Sequence, residues 1–347
     1  MRAIVKASAA PGVEIREVPV PAAGPGEVLL KVKRAGVCGT DLHIWNWDRW
    51  SQGRVRPPVT LGHEFVGEVV ELGEGVDHVT PGELVSAESH VICHTCTACR
   101  NNLGHVCENT RILGVDLNGG FTEYVAIPAV NAWRVPPGVP LEVAAILEPT
   151  GNAVHTAFSG PLSGCNIGVT GCGPIGLFAI GIARAAGASR VIASDVSAYR
   201  LELARRMHAD AVIDVSKENF VERVKEVTHG RGLDGVLEMS GNPQAMRDGL
   251  QSLRNGGRLS LLGLPTEPFD LDWNRLLIFK GVTLHGIVGR RMYETWDQLD
   301  QLLRSGRLDL RPSITHVMAM ERFDEAVGLL REGRAGKIVL VPWGEAE

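Results

Sequence analysis

Gly171-Cys172-Gly173-Pro174-Ile175-Gly176 closes the apolar run at 166–171 and opens the apolar helical stretch at 175–186. A G-x-G-x-x-G pattern alone is weak; between a strand and a helix it restricts the fold severely. The turn has to be tight, the backbone has to come close to a ligand, and the helix N-terminus has to offer free N–H groups along a favourable dipole. These are the requirements of a pyrophosphate. Asp195 ends the next strand, nineteen residues beyond Gly176. That spacing suits a carboxylate bonding both hydroxyls of an adenosine ribose, and it sets like charge against a 2′-phosphate, so the motif favours NAD over NADP. Arg200, five residues later, is placed to cover the adenine end; reaching a 2′-phosphate instead would weaken that preference.

The surrounding pattern agrees. Strands are expected at 166–171, 190–195, 211–215, 235–241, 258–263 and 282–287, with helical stretches at 175–186, 198–207, 220–227 and 244–253 between most of them. Strands alternating with helical crossovers imply an α/β, doubly wound parallel sheet of the Rossmann type. At 347 residues the chain is too long for one ordinary core, so a second domain is expected. The first 150 residues hold short β-like runs at 28–37, 65–73 and 121–128, split by Gly and Pro. They read as a mostly β, barrel-like domain with a metal lobe at about 90–110. The stretch 142–158 reads as two helical pieces interrupted at Pro149 and Gly151. The nucleotide domain is expected at 151–289. Residues 290–347, with amphipathic helices at 292–305 and 321–332 and a final strand KIVLVPW, are expected to fold back on the first domain.

Composition removes several function classes. Hydrophobic residues make up 44% and charged residues 22%, the balance of a soluble globular chain. The net charge is −5 with no long basic run, which argues against nucleic acid. The N-terminus lacks the apolar segment of a signal peptide, and no apolar stretch is long enough to span a bilayer, so neither membrane nor export is expected and the cytoplasm is the expected compartment. There, seven cysteines, mostly clustered, point to metal rather than to disulfides.

Cys93, Cys96, Cys99 and Cys107 supply four thiolates within fifteen residues. Four sulfurs with no open position suit a structural tetrahedral zinc; an iron–sulfur cluster or a metal-free redox lobe are the alternatives. His94 and His105 lie in the same lobe and are expected on the surface, since four sulfurs suffice. A second set is dispersed: Cys38 in the glycine-flanked turn GVCGTDLH, and His63 and Glu64 in GHEF. A thiolate, an imidazole and a carboxylate would hold zinc with one position free. Taken singly, Cys38 and His63 more often are buried structural residues.

Together, the GVCGTDLH turn, GHEFVGEV, the four-cysteine lobe, the GCGPIG loop and Asp195 resemble the medium-chain zinc alcohol dehydrogenase family over nearly the whole chain. The resemblance implies one catalytic and one structural zinc per subunit, a small-molecule alcohol substrate held between two domains, and a homotetramer. It assigns Cys38, His63 and Glu64 to the catalytic zinc and the four lobe cysteines to the structural one. Thr40 and His43 match a proton relay that runs by way of the nicotinamide ribose, and Glu148 matches a carboxylate near the metal. Gly171, Gly173, Gly176, Ile175, Asp195, Arg200, Leu262, Gly263, Leu264, Ile287 and Val288 match nucleotide contacts. Without the metal, Thr40 would read as a turn hydroxyl and Glu148 as a helix-end carboxylate. His90 and His155 stay outside the catalytic set.

Within the family, HIWNWDRW, EPTGNAVHTAF, DVSAYRLELARRM, LEMSGNPQAMRD, DWNRLLIFKG and GRRMYETW are similar to stretches of its threonine-oxidising members. His208 departs from that pattern, where many members carry glycine, far from the expected chemistry. This finer resemblance implies oxidation of the L-threonine 3-hydroxyl to 2-amino-3-oxobutanoate. Glu148 would oppose the substrate ammonium, and an arginine such as Arg290 or Arg291 its carboxylate. A polyol or 2,3-butanediol dehydrogenase is the alternative, since such enzymes share the metal motifs.

Overall fold

The run EVLLKVKRAGV buries most of its side chains and forms the strand Glu27–Val37. It pairs antiparallel with Glu64–Leu72, with Tyr124–Pro128 and with Lys337–Val341. These belong to a sheet that counts seven strands among the described residues. In this computed structural model, which describes residues 1–344, that sheet is the centre of a first unit made of Met1–Pro149 and the segment from Ile314 onward. Its core includes Val28, Leu30, Val69, Val85, Phe121, Ile127, Ile338 and Leu340. Each such aliphatic side chain contributes about 1.5–3 kcal/mol by burial. The expected strand at 121–128 is shorter, Tyr124–Pro128, because the backbone of Phe121 turns to other partners, accepting from Ile4 N–H and donating to Leu61 O, both at 2.9 Å.

The second unit, Thr150–Ser313, is built on six parallel strands among the described residues. Their spatial order is Ala211–Asp214, Arg190–Asp195, Asn166–Thr170, Leu233–Glu238, Leu253–Leu261, Thr283–Gly286. In chain order this is 3-2-1-4-5-6, the doubly wound arrangement expected from the alternating pattern. Crossover helices start where short polar side chains cap them. Ser197, Asn219 and Asn242 accept from the N–H groups of Arg200, Glu222 and Gln244 at 3.4, 3.1 and 2.8 Å, each cap contributing about 1 kcal/mol.

Other boundaries also differ from the sequence reading. The break in 142–158 falls between the helices Leu141–Ala144 and Leu147–Ala157. Pro149 sits in the first turn of the second helix, where its missing N–H is unneeded, and Gly151 lies inside it. Leu253, expected at a helix end, starts a strand, since the helix stops at Ser252. The helix Glu294–Arg304, expected in the segment returning to the first domain, belongs to the second unit. There the chain that follows it lays Leu308 against Gly181 of the helix Pro174–Ala185.

Candidate functional site

Sheet register assembles the dispersed metal set. Gly36 pairs with Glu64 across the ladder, so Cys38 and His63, each just outside its strand, become neighbours. Cys38 stands in extended conformation at the head of the helix Gly39–Asn46, and its N–H donates to Asp41 Oδ2 at 2.9 Å. The ligand atoms of Cys38, His63 and Glu64 lie within 4.8 Å of one another. Gly36 has to be glycine: a Cβ there would sit 2.2 Å from Glu64 Oε2.

The electrostatics of this set call for a cation. His63, Glu64 and Asp41 are buried, and His63 Nδ1 faces Asp41 Oδ1 at 3.7 Å. Burial pushes the His63 imidazole down, but the Cys38 sulfur and the Asp41 carboxylate outweigh it and bring its pKa up to about 10. Burial raises Asp41 to about 6 against the pull of His63 and the Cys38 N–H. Lys337, also buried, donates to Val37 O at 2.8 Å and ion-pairs with Glu64 Oε2. A soft sulfur, an imidazole and a carboxylate, with a second carboxylate behind the imidazole, fit zinc and its usual supporting partners.

The four-cysteine lobe fits zinc on distance. A tetrahedron with Zn–S near 2.3 Å has its sulfurs about 3.8 Å apart. Here Cys93 lies 3.5 Å from Cys107 and 4.0 Å from Cys99, and Cys96 lies 3.9 Å from Cys107. Hydrogen bonds from Thr95, Cys96 and Asn109 hold the Cys93 thiol down at about 5, and backbone N–H groups of Cys99 and Glu108 lower Cys96. Both favour the thiolates a metal needs.

Glu148 stands in the first turn of the helix Leu147–Ala157, is buried, and accepts a hydrogen bond from the buried Ser89 hydroxyl. Its charge is felt at His63. Thr40 Oγ1 lies 3.7 Å from Cys38 Sγ. His43, one turn on, points its Nδ1 at Asp48 Oδ2, 2.5 Å away. The expected arginines make the following contacts. Arg290 is buried on Gly151, with Nη1 donating to Asn152 Oδ1 at 3.0 Å; Arg291 pairs with Glu294 at 3.2 Å. His155 Nδ1 meets Gly289 O at 2.9 Å.

In the second unit the nucleotide residues gather at the C-terminal ends of the parallel strands. Gly171 adopts φ +89°, and a Cβ on Gly176 would lie 1.9 Å from Gly171 O, so the loop closes only with glycine at 176. Ile175 follows Pro174 in the first helical turn. Asp195 accepts from Cys172 N–H at 2.8 Å and Ser197 N–H at 2.9 Å, and Arg200 Nη1 stands 3.9 Å from it. Beside them lies a cavity of about 480 Å³, lined by Gly171, Gly173, Asp195, Arg200, Ser240 and Asn242 among others. The turn Leu262-Gly263-Leu264 packs on Gly241, with Leu262 and Gly263 N–H on Glu238 O at 3.0 Å. Ile287 N–H bonds Leu261 O at 2.9 Å, which sets Ile287 and Val288 beyond the neighbouring strand.

Sequence reasoning missed Asp41, Lys337, Ser89 and Asp48. Asp41 stands within the quoted GVCGTDLH turn and was legible as a carboxylate three residues after the thiolate; the others carry no local signal.

Residues 174–305 match a family model described as zinc-binding dehydrogenase, and residues 24–137 match the alcohol dehydrogenase GroES-like domain. The chain is similar to the L-threonine 3-dehydrogenase of Symbiobacterium thermophilum, 50% identical over 343 residues, covering 99% of this chain and 98% of that one. It is similar to the Bacillus licheniformis enzyme of the same name, 49% identical over 342 residues and 99% of each. Among solved structures it resembles galactitol-1-phosphate dehydrogenase from Escherichia coli, with TM-score 0.90, 28% identity, and coverage of 99% and 100%.

Proposed function

The chain belongs to the zinc-binding alcohol dehydrogenase family, and from that premise we propose that it oxidises the 3-hydroxyl of L-threonine to 2-amino-3-oxobutanoate with NAD as hydride acceptor. Full-length identity of 50% to an L-threonine 3-dehydrogenase carries this reading. Zinc held by Cys38 and His63, with Glu64 as third ligand, would polarise the hydroxyl as a Lewis acid, and NAD seated on the Gly171–Gly176 loop would take the hydride.

The chain's own side chains do the rest. Thr40, with a hydroxyl that donates and accepts, takes up the alcohol proton beside Cys38, and His43 delivers it to water. Glu148, bonded by Ser89, opposes the substrate ammonium, which needs a partner once water is excluded. Asp195 bonds the ribose hydroxyls with the lone pairs that Cys172 and Ser197 leave free, and so favours NAD. The four lobe cysteines hold a structural zinc.

The test is NADH formation over L-threonine, its stereoisomers, sorbitol and 2,3-butanediol. L-threonine should give the highest kcat/KM. Deleting either charge from the substrate should lower it at least about tenfold, since a charge-assisted contact contributes roughly 1.5–3 kcal/mol. Sorbitol ahead of L-threonine would place the chain with polyol dehydrogenases.

The same reading places the enzyme in the cytoplasm, where thiolates stay reduced. No helix among the described residues is long and apolar enough to cross a membrane. It also makes the enzyme a homotetramer. The outer strand Thr283–Gly286 is a sheet edge, and Ile278 and Phe279 nearby are 67% and 80% exposed, a surface that association would cover.

A further inference from the structure

The carboxylate on His43 comes from a helix ending, not from helical periodicity. The helix Gly39–Asn46 stops at Trp47, which takes the left-handed conformation with φ 55°. Trp47 N–H then bonds Ile44 O at 3.2 Å and Asp48 N–H bonds His43 O at 3.4 Å, the paired 5→2 and 6→1 bonds of a Schellman ending. Lys6 Nζ over the Trp47 ring, 4.9 Å from its centroid, and Gln52 Nε2 on Trp47 O at 2.8 Å pin the reversal. Asp48 is thereby folded back onto a residue five positions earlier.

Asp48 is held from both sides. Its Oδ1 accepts from Ser51 N–H at 3.0 Å and Ser51 Oγ at 3.1 Å, capping the helix Arg49–Arg54. Its Oδ2 meets His43 Nδ1 at 2.5 Å. The Trp50 ring stands edge-on to the imidazole, centroids 6.3 Å apart. What burial Asp48 has raises its carboxyl, but hydrogen bonds from Ser51 and His43 prevail and hold it below the usual carboxylate range. An ionised carboxylate can only accept, so in the neutral imidazole the proton sits on Nδ1 and Nε2 is the acceptor.

We propose that Asp48 is a positioning residue for proton exit: by taking the Nδ1–H of His43 it fixes Nε2 as the nitrogen that accepts the proton released by the alcohol. This rests on the relay role given above to Thr40 and His43. In the step Nε2 gains one proton, and the imidazolium stays bonded to Asp48 through Nδ1–H. The Nε2 proton then passes to water, which reaches a His43 side chain 62% exposed. No electrons move in this step.

Asp48→Asn tests it, because asparagine keeps the helix cap while its amide can donate to Nδ1 and drive the proton onto Nε2. Asp48→Ser, which keeps a capping oxygen, is the second variant. Nitrogen-15 imidazole spectra of the zinc-loaded enzyme, with His43 assigned by difference against His43→Gln, should show the Nδ1–H tautomer in wild type and growth of Nε2–H in Asp48→Asn. Stopped-flow proton release during alcohol oxidation, followed with a pH indicator, should slow roughly tenfold in both variants. KM for the alcohol should stay within about twofold, and added imidazole should restore most of the rate. An Nε2–H tautomer in wild type, or wild-type proton release in both variants, would overturn the proposal. If L-threonine is not oxidised, the substrate assignment fails on its own. The tautomer is read without substrate, and proton release on whichever panel alcohol is turned over, so the role of Asp48 is still decided.

Discussion

Lys337 and Glu64 form an ion pair in which neither side chain meets solvent to more than 2%. The lysine comes from the strand Lys337–Val341, whose pairing with Glu27–Val37 sets Ile338 opposite Val37. On the proposed reading the carboxylate thus balances two demands, from an ammonium and from a metal.

Removing the ammonium should be costly. Lys337→Met leaves Glu64 charged and buried, and we expect a loss of about 3–5 kcal/mol in stability, read from the urea midpoint of the metal-loaded protein. The double variant Lys337→Met/Glu64→Gln should regain at least half of it. A single variant as stable as wild type would show that the pair contributes nothing net.

Metal analysis should find about two zinc ions per loaded subunit. Cys38→Ser should keep the lobe zinc and the fold and lose turnover. Cys96→Ser should instead lose the lobe zinc and open residues 93–107 to limited proteolysis, since little but metal orders that segment. Undiminished turnover in Cys38→Ser would refute its place at the catalytic zinc.

Two glycines of the nucleotide loop should separate. A Cβ on Gly173 meets nothing within 4 Å, whereas one on Gly176 meets Gly171 O at 1.9 Å. Gly173→Ala should change unfolding by no more than about 0.5 kcal/mol yet weaken NAD in calorimetric titration, because the methyl stands where the pyrophosphate has to approach. Gly176→Ala should lower the melting temperature outright.

Asp195→Gly should weaken NAD by roughly 1.5–3 kcal/mol and relax discrimination against NADP, measured as the ratio of kcat/KM for the two cofactors. It also strips an acceptor from the Cys172 and Ser197 N–H groups, so a small loss of stability should accompany it. A wild-type enzyme faster with NADP would refute the role given to Asp195.

What was legible in the sequence was whatever local spacing encodes. The glycine loop, Asp195 one strand on, and four cysteines within fifteen residues each declare a turn or a ligand set by sequence proximity. Cys38, His63 and Glu64 were legible as types, but their convergence depends on the Gly36–Glu64 register, which no local pattern states. Asp48 escaped because helical reasoning looks three or four residues away, and a left-handed Trp47 brings in the fifth. Arg290 was legible as a charge, but its burial on Asn152 and the face of Gly151 was not, because it depends on a contact 138 residues apart. Lys337 was hidden by distance along the chain.

That distance sets an order of events during synthesis. Cys38, His63 and Glu64 leave the ribosome early, while the lysine that neutralises Glu64 and ties itself to Val37 follows 300 residues after Val37. For most of translation the nascent chain carries all three proposed ligands but lacks the ammonium that pairs with Glu64, so burial of that pair has to await the last strand. On the proposed reading, metal loading of this centre should therefore be complete only in the finished chain, although its ligands are among the first residues made.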